Sequence, residues 1–225
     1  MNICIVIPVY NEARMIGAIV EKIKGHGWNV VVINDGSTDS SGVIAKEQGA
    51  FVINHLKKQG KGVSLRDGFA YATGQGFDGV IAMDGDGQHH IDDIERFIAK
   101  ARQYPDSIIS GNRMLNCQHM PFLRRFVNRL MSSLISSICH QSIPDSQCGF
   151  RFIGTNVLQA IELTSSDFEI ETEVLIKASR KGFKIDCVPI QTIYRDEMSK
   201  IHPFVDTFRF FRYLLKELMG SRPSK

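Results

Sequence analysis

Asp84 and Asp86 stand one residue apart at the end of an apolar run, residues 79–83. Two carboxylates placed where a buried strand meets solvent repel each other and gain no packing. A hard divalent cation resolves the repulsion, because Mg²⁺ and Mn²⁺ favour oxygen ligands and commonly share them with substrate phosphates. Gly85 and Gly87 leave room for a diphosphate to approach the backbone, and Gln88 adds a neutral oxygen on the same turn. On spacing alone two readings stand level. One is the seat of a metal-bound nucleotide diphosphate; the other is an exposed Asp-Gly turn with no ligand.

The elements that must position this pair are legible as alternating strands and helices. Residues 2–8, 29–34, 51–54 and 79–83 read as strands, the first two as buried β-branched runs. Residues 11–23 and 37–48 read as helices, a Lys- and Gly-rich loop at 57–62 leads into a helix running through Tyr71, and 91–104 reads as another helix. The alternation implies a mostly parallel sheet covered on both faces, with ligands bound beyond the carboxyl ends of its strands. Three strand ends carry polar clusters, at 8–12, 34–39 and 84–88, and are expected to converge on one crevice. By donor and acceptor chemistry, Tyr10 can cover a base, Glu12 and Asp35 suit the nucleoside end, and Asp84 and Asp86 suit the phosphate end.

The second half is less regular. A strand is expected at 107–110. Residues 121–140 repeat two apolar and two polar residues, from Phe122-Leu123 to Leu134-Ile135, which spells an amphipathic helix. That helix is either a core helix with a solvated face or one lying at a membrane surface. Residues 107–144 hold no Asp or Glu but include Arg113, Arg124, Arg125 and Arg129, and 204–219 form a further amphipathic segment.

The bulk numbers set limits. The 225 residues suit one large α/β domain or two small ones, and a net charge of +3 is too small to argue for nucleic acid. No stretch reaches the roughly 18–20 apolar residues that span a bilayer, and no signal peptide is evident. The five cysteines are odd in number, scattered and without metal-ligand spacing, and read as reduced thiols of a cytosolic protein. His89 and His90 read as loop residues, since a Mg²⁺-type ion prefers oxygen. Gly60-Lys61-Gly62 lacks the phosphate-loop spacing and reads as a loop near the donor at most. No G-x-G-x-x-G follows the first strand, which disfavours a dinucleotide dehydrogenase.

The segments IPVYNE, VVVINDGSTDSS and MDGDGQH, in that order and separation, resemble family 2 glycosyltransferases of the GT-A fold over the first half of the chain. SGNR at 110–113, DSQCGFR at 145–151, EIETEVLIKASRKGFKIDCVPI at 169–190 and YRDEMSK at 194–200 are similar to dolichyl-phosphate mannose synthase and its bacterial polyprenyl-phosphate relatives. The resemblance implies a single domain over 1–225, with a nucleotide-sugar and metal half at 1–106 and an acceptor half at 107–225. It also implies transfer of a hexose, of mannose or glucose type, from a GDP- or UDP-linked sugar to a polyprenyl phosphate; the acid pair and the absence of an obvious residue for a covalent sugar intermediate make the expected transfer inverting. Pro8, Tyr10, Glu12 and Asp35 would contact the nucleoside, and Asp84, Asp86 and Gln88 would hold Mg²⁺ or Mn²⁺. Arg113 and Arg124 would contact the acceptor phosphate, with Arg125 able to replace Arg124, and Arg195 and Lys200 would close over the diphosphate. Two departures stand out. Ser146 and Cys148 replace the family's usual Pro and Ser, and the usual Gly is missing from RDEMSK.

The physical reading agrees. A phosphate acceptor, with a second pKa near ~6, arrives mostly dianionic and needs cations rather than a base. A hydroxyl acceptor needs a base, for which Asp145 is the best candidate. A catalytically silent nucleotide-sugar-binding subunit is the third reading. The expected location is the cytoplasmic face of a membrane, reached peripherally or through a membrane-anchored partner subunit.

Overall fold

The computed structural model describes residues 1–117 and 120–193, together with Leu214. Seven strands form one sheet in the order β3-β2-β1-β4-β6-β5-β7. The first four are β1 (Ile3–Val9), β2 (Asn29–Asn34), β3 (Phe51–Asn54) and β4 (Gly79–Ala82), all parallel. Their crossovers are α1 (Ala13–Gly25), α2 (Ser41–Glu47) and α3 (Lys61–Gly74). Alternate residues of β1 face opposite layers. Ile3, Ile5 and Ile7 pack with α1, α2 and α4 (Ile94–Ala101), while Cys4 and Val6 pack with α3 and with α5 (Phe122–Cys139) and α7 (Ile170–Arg180). This is the two-sided parallel sheet expected from the buried apolar runs.

The second half adds β5 (Ser107–Asn112), β6 (Arg151–Gly154), a short helix α6 (Thr155–Ala160) and β7 (Lys184–Pro189). β6 runs antiparallel between β4 and β5, and β7 pairs parallel with β5. The GT-A-type α/β architecture is thus as expected, with one reversed strand that the sequence reading did not place.

Element starts differ from expectation for local reasons. α1 begins at Ala13 rather than 11, because Asn11 has φ 55°, a left-handed conformation that Asn tolerates. Its side chain accepts the Thr38 N–H at 2.8 Å. α2 begins at Ser41 rather than 37, because Asp39 accepts the Ser41 N–H (2.9 Å) and the Ala13 N–H (3.1 Å). The helix expected at 91–104 is a 3₁₀ turn, Ile91–Asp93, followed by α4.

α5 settles the two-and-two repeat in an unexpected way. Asn128, Met131, Ser132, Ile135 and Cys139 face inward, while Phe122, Leu123, Phe126 and Leu130 are 57–74% exposed. Polar Asn128 and Ser132 go inside because Asp145 and Ser146 supply their hydrogen-bond partners. The amphipathic segment expected at 204–219 lies outside the described residues except for Leu214, which is buried in the layer containing Met131 and Ile135. Among the described residues, no helix is long and apolar enough to cross a membrane.

Candidate active site

The ends of β1, β2 and β4 lie side by side, so the three polar clusters do meet. Asp35 N–H donates to the Val9 carbonyl (2.8 Å), and the Asn11 N–H donates to Ser37 Oγ (3.0 Å). Met83 N–H continues the ladder to the Val6 carbonyl (3.1 Å), which delivers Asp84 beyond the sheet edge. A Cβ at Gly85 would lie 3.1 Å from Val9 Cγ2, so the acid loop lies tight against the end of β1. Pro8 comes after the last β1–β4 pair, Val6 with Ala82.

Asp84 does not stand free. Lys61 Nζ lies 2.6 Å from Asp84 Oδ1 and 2.6 Å from Glu171 Oε1. Burial alone would raise the Asp84 carboxyl, but the Lys61 ammonium holds it well below the usual carboxylate range. Burial likewise opposes the charge of Lys61, yet Asp84 and Glu171 hold it above the ordinary lysine range. Asp86 accepts the Gln88 N–H at 2.9 Å. Burial, and then the Asp84 charge beside it, push the Asp86 carboxyl upward. Among the described residues, no three His, Cys, Asp or Glu side chains gather into a metal cage. Two acids that finish their ligand shell with substrate oxygens suit a Mg²⁺-type ion, and this pair already attracts a cation.

His89 lies in the loop after β4, as expected, and is buried there. Its ring packs 4.8 Å from that of Phe150, and Nε2 lies 3.5 Å from Asp84 Oδ2. His90 is half-buried, with Nδ1 3.3 Å from Asp92 Oδ2. Ile193 N–H donates to the Gln88 carbonyl (2.9 Å), so the segment that leads toward residue 194 runs beside the acid loop. Arg195 and Lys200 lie outside the described residues.

Asp35 is 4% exposed and already engaged. Its carboxylate meets His55 Nδ1 (2.8 Å) and accepts the Gln59 N–H (2.7 Å) and Gly60 N–H (2.9 Å). Burial works against its charge, but the His55 bond and the two backbone N–H groups hold the carboxyl low. His55 Nε2 reaches Asp67 at 2.9 Å. Asp35 therefore anchors the loop that presents Lys61, in addition to any contact with a ligand. Tyr10 sits under Lys58, whose Nζ is 4.1 Å from the ring centroid. Glu12 caps the chain entering α1, its carbonyl accepting the Met15 N–H (2.9 Å) and the Ile16 N–H (3.0 Å).

Arg113 follows β5 and is buried with Asp145. Nε and Nη2 donate to the two Asp145 oxygens at 2.7 and 2.9 Å, and the Arg113 N–H donates at 3.1 Å. Asn128 Nδ2 donates to Asp145 Oδ1 at 2.8 Å. The Asp145 side chain is 0% exposed. Burial opposes its charge, but Arg113 and Asn128 hold its carboxyl low. This arrangement argues against Asp145 as a general base, because its two oxygens already accept four hydrogen bonds and its proton affinity is lowered. The stretch without acids thus has its acid immediately beyond it. Arg124 is exposed on the first turn of α5, and Arg125 Nη1 lies 3.9 Å from Cys117 Sγ. The structure does not place Arg124 beside Arg113 in any described contact.

Residues 4–161 match the family model described as Glycosyl transferase family 2. The chain belongs to this family and is a glycosyltransferase.

The glycosyltransferase is 30% identical to an uncharacterized protein of Methanocaldococcus jannaschii, over 96% of this chain and 93% of that one. It is 28% identical to the UDP-N-acetylglucosamine–dolichyl-phosphate N-acetylglucosaminyltransferase of Methanococcus voltae, over 97% and 96%. It is 25% identical to the polyprenol monophosphomannose synthase of Mycolicibacterium smegmatis, over 85% and 77%. Glucosyl-3-phosphoglycerate synthase of Mycobacterium tuberculosis, solved with Mn²⁺ and uridine diphosphate, superposes with a TM-score of 0.71 at 16% identity, over 97% and 79%. An identity this low speaks for the GT-A fold alone.

Sequence reasoning did not name His55, Gly149 or Glu171 for the candidate site of the glycosyltransferase, and read Lys61 only as part of a loop near the donor. A Cβ at Gly149 would come within 2.8 Å of Glu171 Oε1 and 3.1 Å of Asp84 Oδ2. Gly60, at φ 104°, and Gly62 are pressed against the 165–167 backbone, where a Cβ would meet the Ser166 carbonyl at 2.4 Å and the Ser165 carbonyl at 2.5 Å. The signal for Lys61 was present: a lysine between two glycines is a charge on a backbone that must pass close to another chain segment.

Proposed function

We propose that this glycosyltransferase moves a hexose, of mannose or glucose type, from a nucleotide-diphosphate sugar to a polyprenyl phosphate with inversion. The observation that carries the reading is the locking of Asp145 onto Arg113. The carboxylate best placed in sequence to deprotonate a hydroxyl is consumed, which favours an acceptor that arrives already ionised. The M. voltae and M. smegmatis relatives, named for transfer to dolichyl phosphate and polyprenol, support the same acceptor class. The silent-subunit reading is disfavoured by an acid pair that already attracts a cation.

Asp84, Asp86 and Gln88 would hold the Mg²⁺ or Mn²⁺, which when bound offsets charge on the departing diphosphate. Pro8, Tyr10, Glu12 and Asp35 would frame the nucleoside at the ends of β1 and β2. Arg195 and Lys200 would cover the diphosphate, and Arg124 would orient the acceptor phosphate; Arg113, whose Nε and Nη2 are held by Asp145, would reach that phosphate with Nη1 alone. In this division 1–106 serves the donor and 107–225 the acceptor within one domain, except that Arg195 and Lys200 return to the donor. The decisive experiment is a matrix of GDP- and UDP-sugars against polyprenyl phosphate, scored for lipid-linked product and its anomeric configuration. Transfer only to saccharide hydroxyls, or a retained anomer, would sink the corresponding part.

The acceptor's tail requires a membrane, since each CH₂ drawn into water costs about 0.8 kcal/mol. The exposed face of α5 offers Phe122, Leu123, Phe126 and Leu130, with exposed Arg124 and Arg129 beside them. Apolar insertion flanked by cations suits an anionic lipid surface. Replacing Phe122 and Phe126 together by Ser should weaken salt-sensitive binding to anionic liposomes by about tenfold or more, given ~1.5–3 kcal/mol per buried side chain. Folding and donor hydrolysis in solution should persist. Wild-type protein that ignores liposomes at low salt would shift the reading to a membrane-anchored partner subunit.

A further inference from the structure

An ammonium already sits on Asp84, one of the acid pair, and the backbone that presents it is held in place. Lys61 Nζ is within 2.6 Å of both Asp84 and Glu171, and its side chain is 15% exposed. The Phe168 ring lies 5.4 Å from Nζ. Gly149 closes the cluster from another side, since a Cβ there would stand 3.2 Å from Nζ. The backbone behind Lys61 is fixed at two points. Gln59 and Gly60 N–H groups donate to Asp35, and the Gly62 N–H donates to the Ser166 carbonyl (2.8 Å).

We propose that Lys61 is a resident counter-ion that competes with the divalent cation for Asp84, and that Glu171 retains the ammonium once the cation takes its place. The proposal rests on reading Asp84 and Asp86 as metal ligands. One ammonium neutralises one carboxylate, whereas Asp84, Asp86 and Glu171 bring three into the neighbourhood. Lys61 stands on Asp84 and Glu171, which leaves Asp86 with the Gln88 N–H as its described partner. A divalent ion drawn to Asp86 must share Asp84 with a charge already at contact distance. In a partly dry site two cations on one carboxylate repel strongly. A lysine is suited to yielding, being a point charge on a flexible four-carbon stem, unlike the planar fork of an arginine. Glu171 gives the ammonium somewhere to remain, so exchange leaves no unpaired buried cation. Without metal, the same ammonium neutralises Asp84, the one acid of the pair that it touches.

The test uses the full chain and Mn²⁺ alone, without nucleotide, with the free ion followed by electron paramagnetic resonance. Wild-type protein should show weak binding that Asp86→Asn removes. Lys61→Met should bind Mn²⁺ about tenfold more tightly or better, the order expected for removing one unit charge at contact distance. In an Asp84→Asn background the same change should gain no more than about threefold, because the contested carboxylate is gone. Lys61→Gln, which keeps a polar head without charge, should behave like Lys61→Met and serves if that variant fails to fold. Unchanged affinity in the Lys61 variants, with Asp86-dependent binding intact, overturns the counter-ion. A gain that persists undiminished in Asp84→Asn overturns competition for Asp84 in favour of long-range charge. If no protein shows Asp86-dependent binding, the metal-ligand reading fails, and the proposal falls with it.

Discussion

Asp86→Asn is expected to abolish transfer while leaving the protein at least as stable as wild type. The two effects should move apart because the surroundings of Asp86 oppose its charge. Burial, and then the Asp84 carboxylate beside it, push its carboxyl upward. Replacing the charge with an amide of the same shape removes that repulsion and keeps an oxygen for the Gln88 N–H, which Asp86 now accepts at 2.9 Å. Catalysis loses a negative ligand for the cation that offsets diphosphate charge. Electrostatic groups of this kind are worth about 10²–10³ in turnover when single donors are removed, and a charged metal ligand belongs at or above the top of that range. A thermal scan beside a donor-hydrolysis and transfer assay decides the matter. Near-normal turnover, or full wild-type activity in EDTA, would remove the metal from the proposed chemistry. A large fall in stability would make the loss of activity uninformative and Asp86 a structural residue.

The parts of this site that were legible in the sequence are local. β1, β2 and β4 are short buried runs with polar residues directly behind them, so their identity and the convergence of their ends followed from period and composition. Asp84 and Asp86 belong to the same class, two acids on one turn. The parts that were not legible are relations between distant residues. Glu171 lies 110 residues from Lys61, and nothing near either one names the other. The pairing of Arg113 with Asp145 spans 32 residues and crosses the edge of the stretch without acids, which had made the arginines look uncompensated. α5 shows a third kind of limit. Its repeat presents an apolar and a polar stripe with equal clarity. The inward face takes from both, Met131 and Ile135 beside Asn128 and Ser132, and the polar two go inside because Asp145 and Ser146 are there to receive them. β6 is four residues long, RFIG, too short for any period to show its direction.

Asp145→Asn is expected to cost about 3–5 kcal/mol of stability, the usual range for removing one partner of a buried ion pair. Against a total of roughly 5–15 kcal/mol, that is a large fraction. Arg113 would lose its bidentate acceptor, and the new amide would turn a donor toward either the guanidinium or Asn128, both of which already donate there. Urea titration should show the midpoint falling. Arg113→Met should be costly for the same reason, and combining the two should recover part of the sum, since neither then leaves an unpaired buried charge. The pH dependence has a definite sign. The folded-state pKa of Asp145 lies below its unfolded value, because Arg113 and Asn128 outweigh burial. Its contribution is therefore present above the unfolded carboxylate range and lost as pH falls through the lowered value. In the Asp145→Asn variant that part of the acid-side loss should be missing. Strictly additive single effects would show that the two residues do not act as a pair. The general-base reading makes the opposite prediction: Asp145→Asn would fold normally and lose only the acid-side limb, the rise in rate as a proton acceptor ionises, from the pH–rate profile. That outcome would return Asp145 to the chemistry and move the acceptor from a phosphate to a hydroxyl.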